Sequence, residues 1–224
     1  MLNVMHITNH LLPGDLLFFA NFIWLLALLQ AGRTAPWRLL LAQSTRQHVF
    51  LGASFALFVI WTFAVGVRPG LGFHLMGVTV YTLMFGWALG VIGISLVMTA
   101  VTVLSGDWSA LALNALMIGV LPVSVSYLIY LLVHRYLPRH LFIYIFLCGF
   151  FNAMLASAVT MLGLMALLVV AEVYPFSRIS SDYLPFVPLF LFPEGLLNGM
   201  MITALIGVRP DWLKTYDDEI YLKN

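Results

Sequence analysis

The sequence predicts an all-α, polytopic integral membrane protein, and three observations predict it. Of 224 residues, 62% are hydrophobic and only 8% carry a charge, against about 25% charged in soluble domains. Mean hydropathy is +1.02. The apolar residues also gather into runs about as long as a bilayer is thick. A soluble core would leave the remainder as exposed patches far larger than monomers tolerate, so most of the surface is expected to face lipid.

A helix needs about 20 apolar residues to cross the hydrocarbon core. Six stretches reach or approach that length, at residues 12–31, 48–67, 85–104, 109–133, 141–171 and 184–208. Between the second and third, residues 71–84, "LGFHLMGVTVYTLM", are short for a span, but with Phe85 to Gly90 they predict a compact or tilted helix packed among the others.

Charge helps decide whether that helix crosses, because cytoplasmic loops hold most Lys and Arg. Arg33, Arg38 and Arg46 follow the first span, Arg135 and Arg139 follow the "YLIYLLV" run, and Arg209, Lys214 and Lys223 follow the last; only Arg68 and Arg178 remain. If residues 71–86 cross, the eight fall on one side and the two on the other. Seven transmembrane helices are therefore expected, with the N-terminus outside and the C-terminus cytoplasmic. The tail at 209–224 is then cytoplasmic, and "VYPFSRISSDYLPFVP" (173–188) is an external loop. No internal repeat divides the chain, so residues 1–224 are expected to form one transmembrane domain. The start, "MLNVMHITNHLLPGD", lacks the basic opening and small-residue cleavage site of a secretory signal and is expected to stay in the mature protein.

A net charge of +1 gives no reason to expect nucleic acid as a partner. Cys148 is the one cysteine, which allows no internal disulfide and no thiolate cluster, and its apolar neighbours predict a small buried hydrophobe. No phosphate loop, HExxH or GxSxG motif is present, so ATP hydrolysis by that route and common hydrolase chemistry are excluded. An enzyme is not expected. Using His74 and Asp107 as acid and base would still lack a nucleophile.

Polar residues inside spans usually face the bundle interior or a water-filled cavity. Four stand out, His74, Asp107, Asn114 and Glu194, and on the seven-span reading they belong to the outer half, where they are expected to converge on one externally open pocket. His74 lies between Gly72 and Gly77; a neutral imidazole is a common ligand of late first-row divalent metals, and a backbone carbonyl is the alternative partner. Asp107 in "SGDW" is expected at a helix start, where a carboxylate caps free N–H groups. Asn114, one to two turns later, either bonds a neighbouring helix or orients a ligating histidine. Glu194 in "FPEG" is expected near the start of the last span, as a cap or a pocket group. Met76, Met117, Met200 and Met201 are read as packing residues.

The ordered set "GFHLMG" (72–77), "GDWSALALNALMIGVLP" (106–122), "PEGLLNGMMITALI" (193–206) and "VRPDWL" (208–213) resembles the CbiM/NikM-type permeases, the cobalt and nickel capture subunits of energy-coupling-factor (ECF) ABC transporters. The resemblance implies a compact seven-helix bundle in the bacterial inner membrane that binds transported Co²⁺ or Ni²⁺ near its outer face, holds no permanent cofactor, and works with ATPase subunits and a coupling transmembrane subunit. In that family a Met-His terminus and the histidine of a His-Leu-x-Gly element hold the ion. His74 matches the second directly. His6 takes the first position if Met5 is the true start; otherwise the side chains of His6, His10 and His74 are the candidate ligands, with Asp107, Asn114 and Glu194 supporting the pocket. Two departures stand out: "GDWS" replaces Gly-Asp-Gly-Gly, and Met117 stands where the family has a second Asn. Both leave open an alternative, a structural or assembly subunit of the same fold that has lost or altered metal capture.

Overall fold

Helix α1 (Gly14–Thr34) opens after Pro13 with Asp15 in its first turn and closes with Arg33 in its last, charges that match the helix dipole. The computed structural model that shows this describes residues 13–63, 65–68, 71–73 and 75–222. On α1 only Ala20 and Ala31 are buried, while Phe18, Phe19, Phe22 and Leu29 are largely exposed. Such an outward apolar face is stable only against lipid.

A corner follows at Pro36, where the Trp37 indole donates to the Gly32 carbonyl at 2.7 Å, and leads through the short α2 (Trp37–Ala42) into α3 (Ser44–Thr62). The buried residues of α3 are Phe50, Ser54, Leu57 and Trp61, a one-face helical spacing. Two short antiparallel strands, β1 (Val65–Arg68) and β2 (Leu71–Phe73), then place Gly66 opposite Gly72.

The next element, α4 (Val78–Ser105), contains Gly86 at φ 76 and ψ 177, a backbone shape that L side chains rarely adopt. Past it the chain reverses. A side chain at Gly93 would collide with the Tyr81 hydroxyl, and one at Gly90 would stand 3.9 Å from Thr82 Oγ1, whereas residues 12 apart in a straight helix are about 18 Å apart. The reversal strands the carbonyls of Leu83 and Met84, and the C-terminal tail takes them: Thr215 N–H donates at 3.3 Å and Lys214 N–H at 3.1 Å, with the Thr215 hydroxyl also on Leu83 at 2.8 Å. The compact helix expected from residues 71–84 together with Phe85 to Gly90 is thus corrected. Residues 71–73 are a strand, helix begins only at Val78, and the break falls at Gly86.

The chain continues through α5 (Trp108–Tyr136) and α6 (Leu141–Val170), then α7 (Phe176–Asp182), α8 (Val187–Val208) and the single turn α9 (Asp218–Tyr221). The expected external loop at 173–188 therefore contains a helix, anchored by buried Ile179 and Tyr183. Among the described residues, five helices are long and apolar enough to cross a membrane: α1, α4, α5, α6 and the Phe176–Val208 run. Together they make a polytopic helical membrane fold. The tail returns to α5, where His134 Nδ1 lies 3.1 Å from the Tyr221 hydroxyl, so Arg46, Arg135 and Lys214 share one end of the bundle, the basic end.

The close approach at Gly93 gives a direct test. Gly93→Ala is expected to cost about 1–3 kcal/mol through overpacking. Gly52→Ala, with nothing within 4 Å, is expected to be neutral or to gain up to about 1 kcal/mol. Thermal unfolding of both variants in detergent checks the difference, and equal melting would contradict the reversal.

Candidate functional site

The segment Leu75–Gly77 is held from two sides. On one, the Trp61 indole of α3 donates to the Met76 carbonyl at 3.0 Å. On the other, the Glu194 carboxylate of α8 accepts the Met76 N–H at Oε2 (2.7 Å) and the Gly77 N–H at Oε1 (2.8 Å). Gly77 adopts φ 61, which glycine takes without strain, and a Cβ there would stand 2.9 Å from Leu57 Cδ2, which would have to shift.

The first N–H groups of a helix lack intrahelical acceptors, and Gly77, the N-cap of α4, supplies no side chain. The acceptors come from α8. Asn198, one turn after Glu194 and on the same face, accepts the Val80 N–H at 2.9 Å. Its amide donates 2.8 Å bonds to the Glu194 carbonyl and to Oε1. Glu194 thus accepts three hydrogen bonds while buried to 3% exposure, at a helix start whose dipole favours a negative charge.

Small residues let α8 come close enough to do this. A Cβ on Gly195 would meet Met154 Cγ at 2.6 Å and the Phe150 carbonyl oxygen at 3.0 Å, and Gly199 lies against Phe150. The glycines turn toward α6 while Glu194 and Asn198 turn toward α4, the small-residue packing usual between membrane helices.

The expected role of Glu194 as a cap of its own helix is corrected. It lies seven residues beyond Val187, the first residue of α8, and caps α4 instead. Asp107 follows Gly106, where α4 ends, and stands half-buried at the mouth of α5. It makes no capping bond to the turn it precedes and accepts the Ser109 hydroxyl at 3.2 Å. Asn114 is buried further along α5, just before a wider π-helical stretch at Ala115–Val120. The structure therefore brings Glu194 together with Leu75–Gly77, while Asp107 and Asn114 belong to α5, at its mouth and in its interior.

His6, His10 and His74 lie outside the described residues. Among the described residues, no three His, Cys, Asp or Glu side chains gather to hold a metal ion. Met117 packs, its methyl 3.2 Å from where a Cβ on Gly163 would stand, and Met76 is buried, but Met200 and Met201 point outward at 63% and 43% exposure. Cys148 is fully buried, as expected of a small hydrophobe. Sequence reasoning missed Asn198 and Trp61. The signal for Asn198 was present in "PEGLLN", a Glu and an Asn four residues apart inside an apolar helix.

The polytopic helical fold is shared with solved structures. A crystal structure described as a transition metal transporter matches at TM-score 0.68 and 20% identity, over 91% of this chain and 93% of that one. A truncated transition metal transporter matches at TM-score 0.67 and 20% identity, over 90% and 98%. No curated protein is a significant match. Residues 6–212 match the CbiM family, described as the cobalt uptake substrate-specific transmembrane region, and the chain belongs to that family. It is a component of a metal transporter, in a family of transporters rather than enzymes.

Glu194→Ala leaves two buried N–H groups without an acceptor and is expected to cost about 2–5 kcal/mol. Asn198→Leu frees only the Val80 N–H and is expected to cost about 1–3 kcal/mol. Amide hydrogen exchange separates them: protection should fall first at Met76 and Gly77 in the former and at Val80 in the latter, and unchanged protection would contradict the capping role.

Proposed function

We propose that the chain is the substrate-capture permease subunit of an ECF transporter, taking up Co²⁺ or Ni²⁺ with partner ATPase subunits and a coupling transmembrane subunit. In this reading it sits in the bacterial inner membrane with the basic end in the cytoplasm, as the eight-to-two division of Lys and Arg favours. His74 and His6 are the ligands, with His10 as a further candidate.

The observation that carries the reading is the Glu194 clamp. It fixes the backbone of Met76 and Gly77, two and three residues after position 74 in the sequence, and a ligating residue needs such a fixed support to hold its geometry. Glu194 acts in this scheme as a positioning residue, its oxygens already occupied by N–H donors, and not as a ligand. Family membership over residues 6–212 supports cobalt uptake, and imidazole donors suit nickel equally.

A second reading, an assembly subunit that has lost or altered capture, is favoured by one observation: Met117, where the resembled family carries an Asn, is spent on packing against Gly163.

Titration of Co²⁺ and Ni²⁺ into the purified full chain decides between the two. Under the capture reading His74→Ala abolishes saturable binding, and Glu194→Gln weakens it by about 10–100-fold, the usual effect of losing a group that supports a ligand. A His74→Ala variant that keeps the original metal content would end the capture reading.

A further inference from the structure

The basic end of the bundle holds a cavity of about 490 Å³, within the range of ligand pockets, about 300–1,000 Å³. It takes in Arg46 and Val49 from the start of α3, whereas Leu75–Gly77 lies beside Leu57 and Trp61 at the other end of that helix. The two sites are separate. Its lining combines apolar Leu39, Leu40, Val49, Phe85 and Leu89 with Arg46, Trp212, Lys214 and Tyr216.

The charge in this cavity is unbalanced. Asp211 is its single lining carboxylate, and Arg209 holds it through two hydrogen bonds of 2.9 and 2.8 Å; those bonds keep its carboxyl below the ordinary range, with a smaller contribution from Arg46. Among the described residues neither Arg46 nor Lys214 forms an ion pair. The Lys214 ammonium folds over the reversal, 3.1 Å from where a Cβ on Gly86 would stand, and loss of water there holds its pKa below the usual lysine value.

Two buried donors also lack acceptors. Among the described residues, neither the Trp212 indole nitrogen nor the Tyr216 hydroxyl has a hydrogen-bond partner. Burial, and after it the nearby Asp218 carboxylate, push the Tyr216 hydroxyl up to about 12, yet Asp218 falls short of hydrogen-bond geometry. An indole N–H only donates, so its missing partner is an acceptor, and a buried donor left unmet is destabilising. Two free cations and a donor-only group describe a site for an anion with several oxygens.

The surroundings favour a membrane source. Leu39 lines the cavity and is itself 53% exposed, beside Leu41 at 66% and Trp37 at 41% on the same short helix. This surface is apolar enough for acyl chains, and it carries a tryptophan, a residue enriched at membrane interfaces.

We propose that this cavity binds the phosphate of an anionic membrane phospholipid, with Arg46, Lys214 and the Trp212 indole N–H on the phosphate oxygens and an acyl chain along Leu39 and Leu40. Inorganic phosphate shares the charge and the oxygens but leaves the apolar lining uncovered. The site does not depend on the transport reading.

The test uses the full chain reconstituted in bilayer discs of mixed phosphatidylcholine and phosphatidylglycerol, with retained lipids counted by native mass spectrometry after release. The wild-type chain should retain phosphatidylglycerol in preference to phosphatidylcholine. Arg46→Gln and Lys214→Gln should each lower that preference about fivefold, the effect of one cation near an anionic membrane. Trp212→Phe should lower the amount of phosphatidylglycerol retained with no change of charge, which a merely basic surface would not do. If the charge variants fail to fold, as judged by melting in phosphatidylcholine discs, Trp212→Phe carries the test alone. Equal retention of the two lipids by the wild-type chain, an unchanged preference in the charge variants, or unchanged retention in Trp212→Phe overturns the site. Displacement by millimolar inorganic phosphate overturns the lipid assignment, and a co-purifying polypeptide that excludes lipid overturns it in favour of a protein partner.

Discussion

The bundle depends on one buried carboxylate. Glu194 crosses from α8 to the start of α4 and accepts three hydrogen bonds at 2.7–2.8 Å, each worth about 1.5–3 kcal/mol net when the acceptor is charged. Removing a carboxylate from water costs several kcal/mol, so the arrangement adds little net stability. What it fixes is position. An apolar side chain at 194 would leave the Met76 and Gly77 N–H groups unmet, and with them the approach of the chain into α4.

The reversal at Gly86 is the second constraint and completes the first. A helix that starts under Glu194 and turns back at Gly86 is only Val78–Phe85 long before it reverses, too short to be stable alone. It survives because each end is capped from elsewhere in the chain. Glu194 and Asn198 satisfy its first N–H groups, and residues 214 and 215 of the tail satisfy its last carbonyls. Tyr81 locks its middle to α3 through Ser54 at 2.7 Å. The polar tail, which composition alone marks as an exposed end, is therefore a structural part of the bundle.

Much of this was legible in the sequence, for a physical reason. Lipid-facing helices advertise themselves by length and hydropathy, so α1, α5, α6 and α8 fall close to the expected runs. The helix expected over 71–90 is displaced because hydropathy is blind to a single positive φ: "GFHLMGVTVYTLMFGW" reads as one apolar stretch, whereas helix begins only after Gly77 and breaks at Gly86. Glu194 stands out in the sequence as an intramembrane charge, expected as a pocket group or a cap of its own helix, but the helix start it caps cannot be read there, because that partner is 118 residues away. Asp107 was read as a cap from its place after a turn, whereas its described bond is to a hydroxyl two residues on.

A clamp built this way has a consequence for how such a bundle tolerates change. Glu194, Asn198 and Trp61 all bind backbone atoms of residues 76, 77 and 80, so the path of the chain is fixed whatever side chain stands at neighbouring positions. The glycines obey a different rule, because Gly77 and Gly86 are needed for their φ and Gly195 for the closeness of Met154. Trp108 in the "GDWS" turn and Met117 on α5 belong to neither set. The path of the chain through residues 76–80 is therefore set by backbone contacts, and loss of Glu194 or of one of these glycines acts on that path directly.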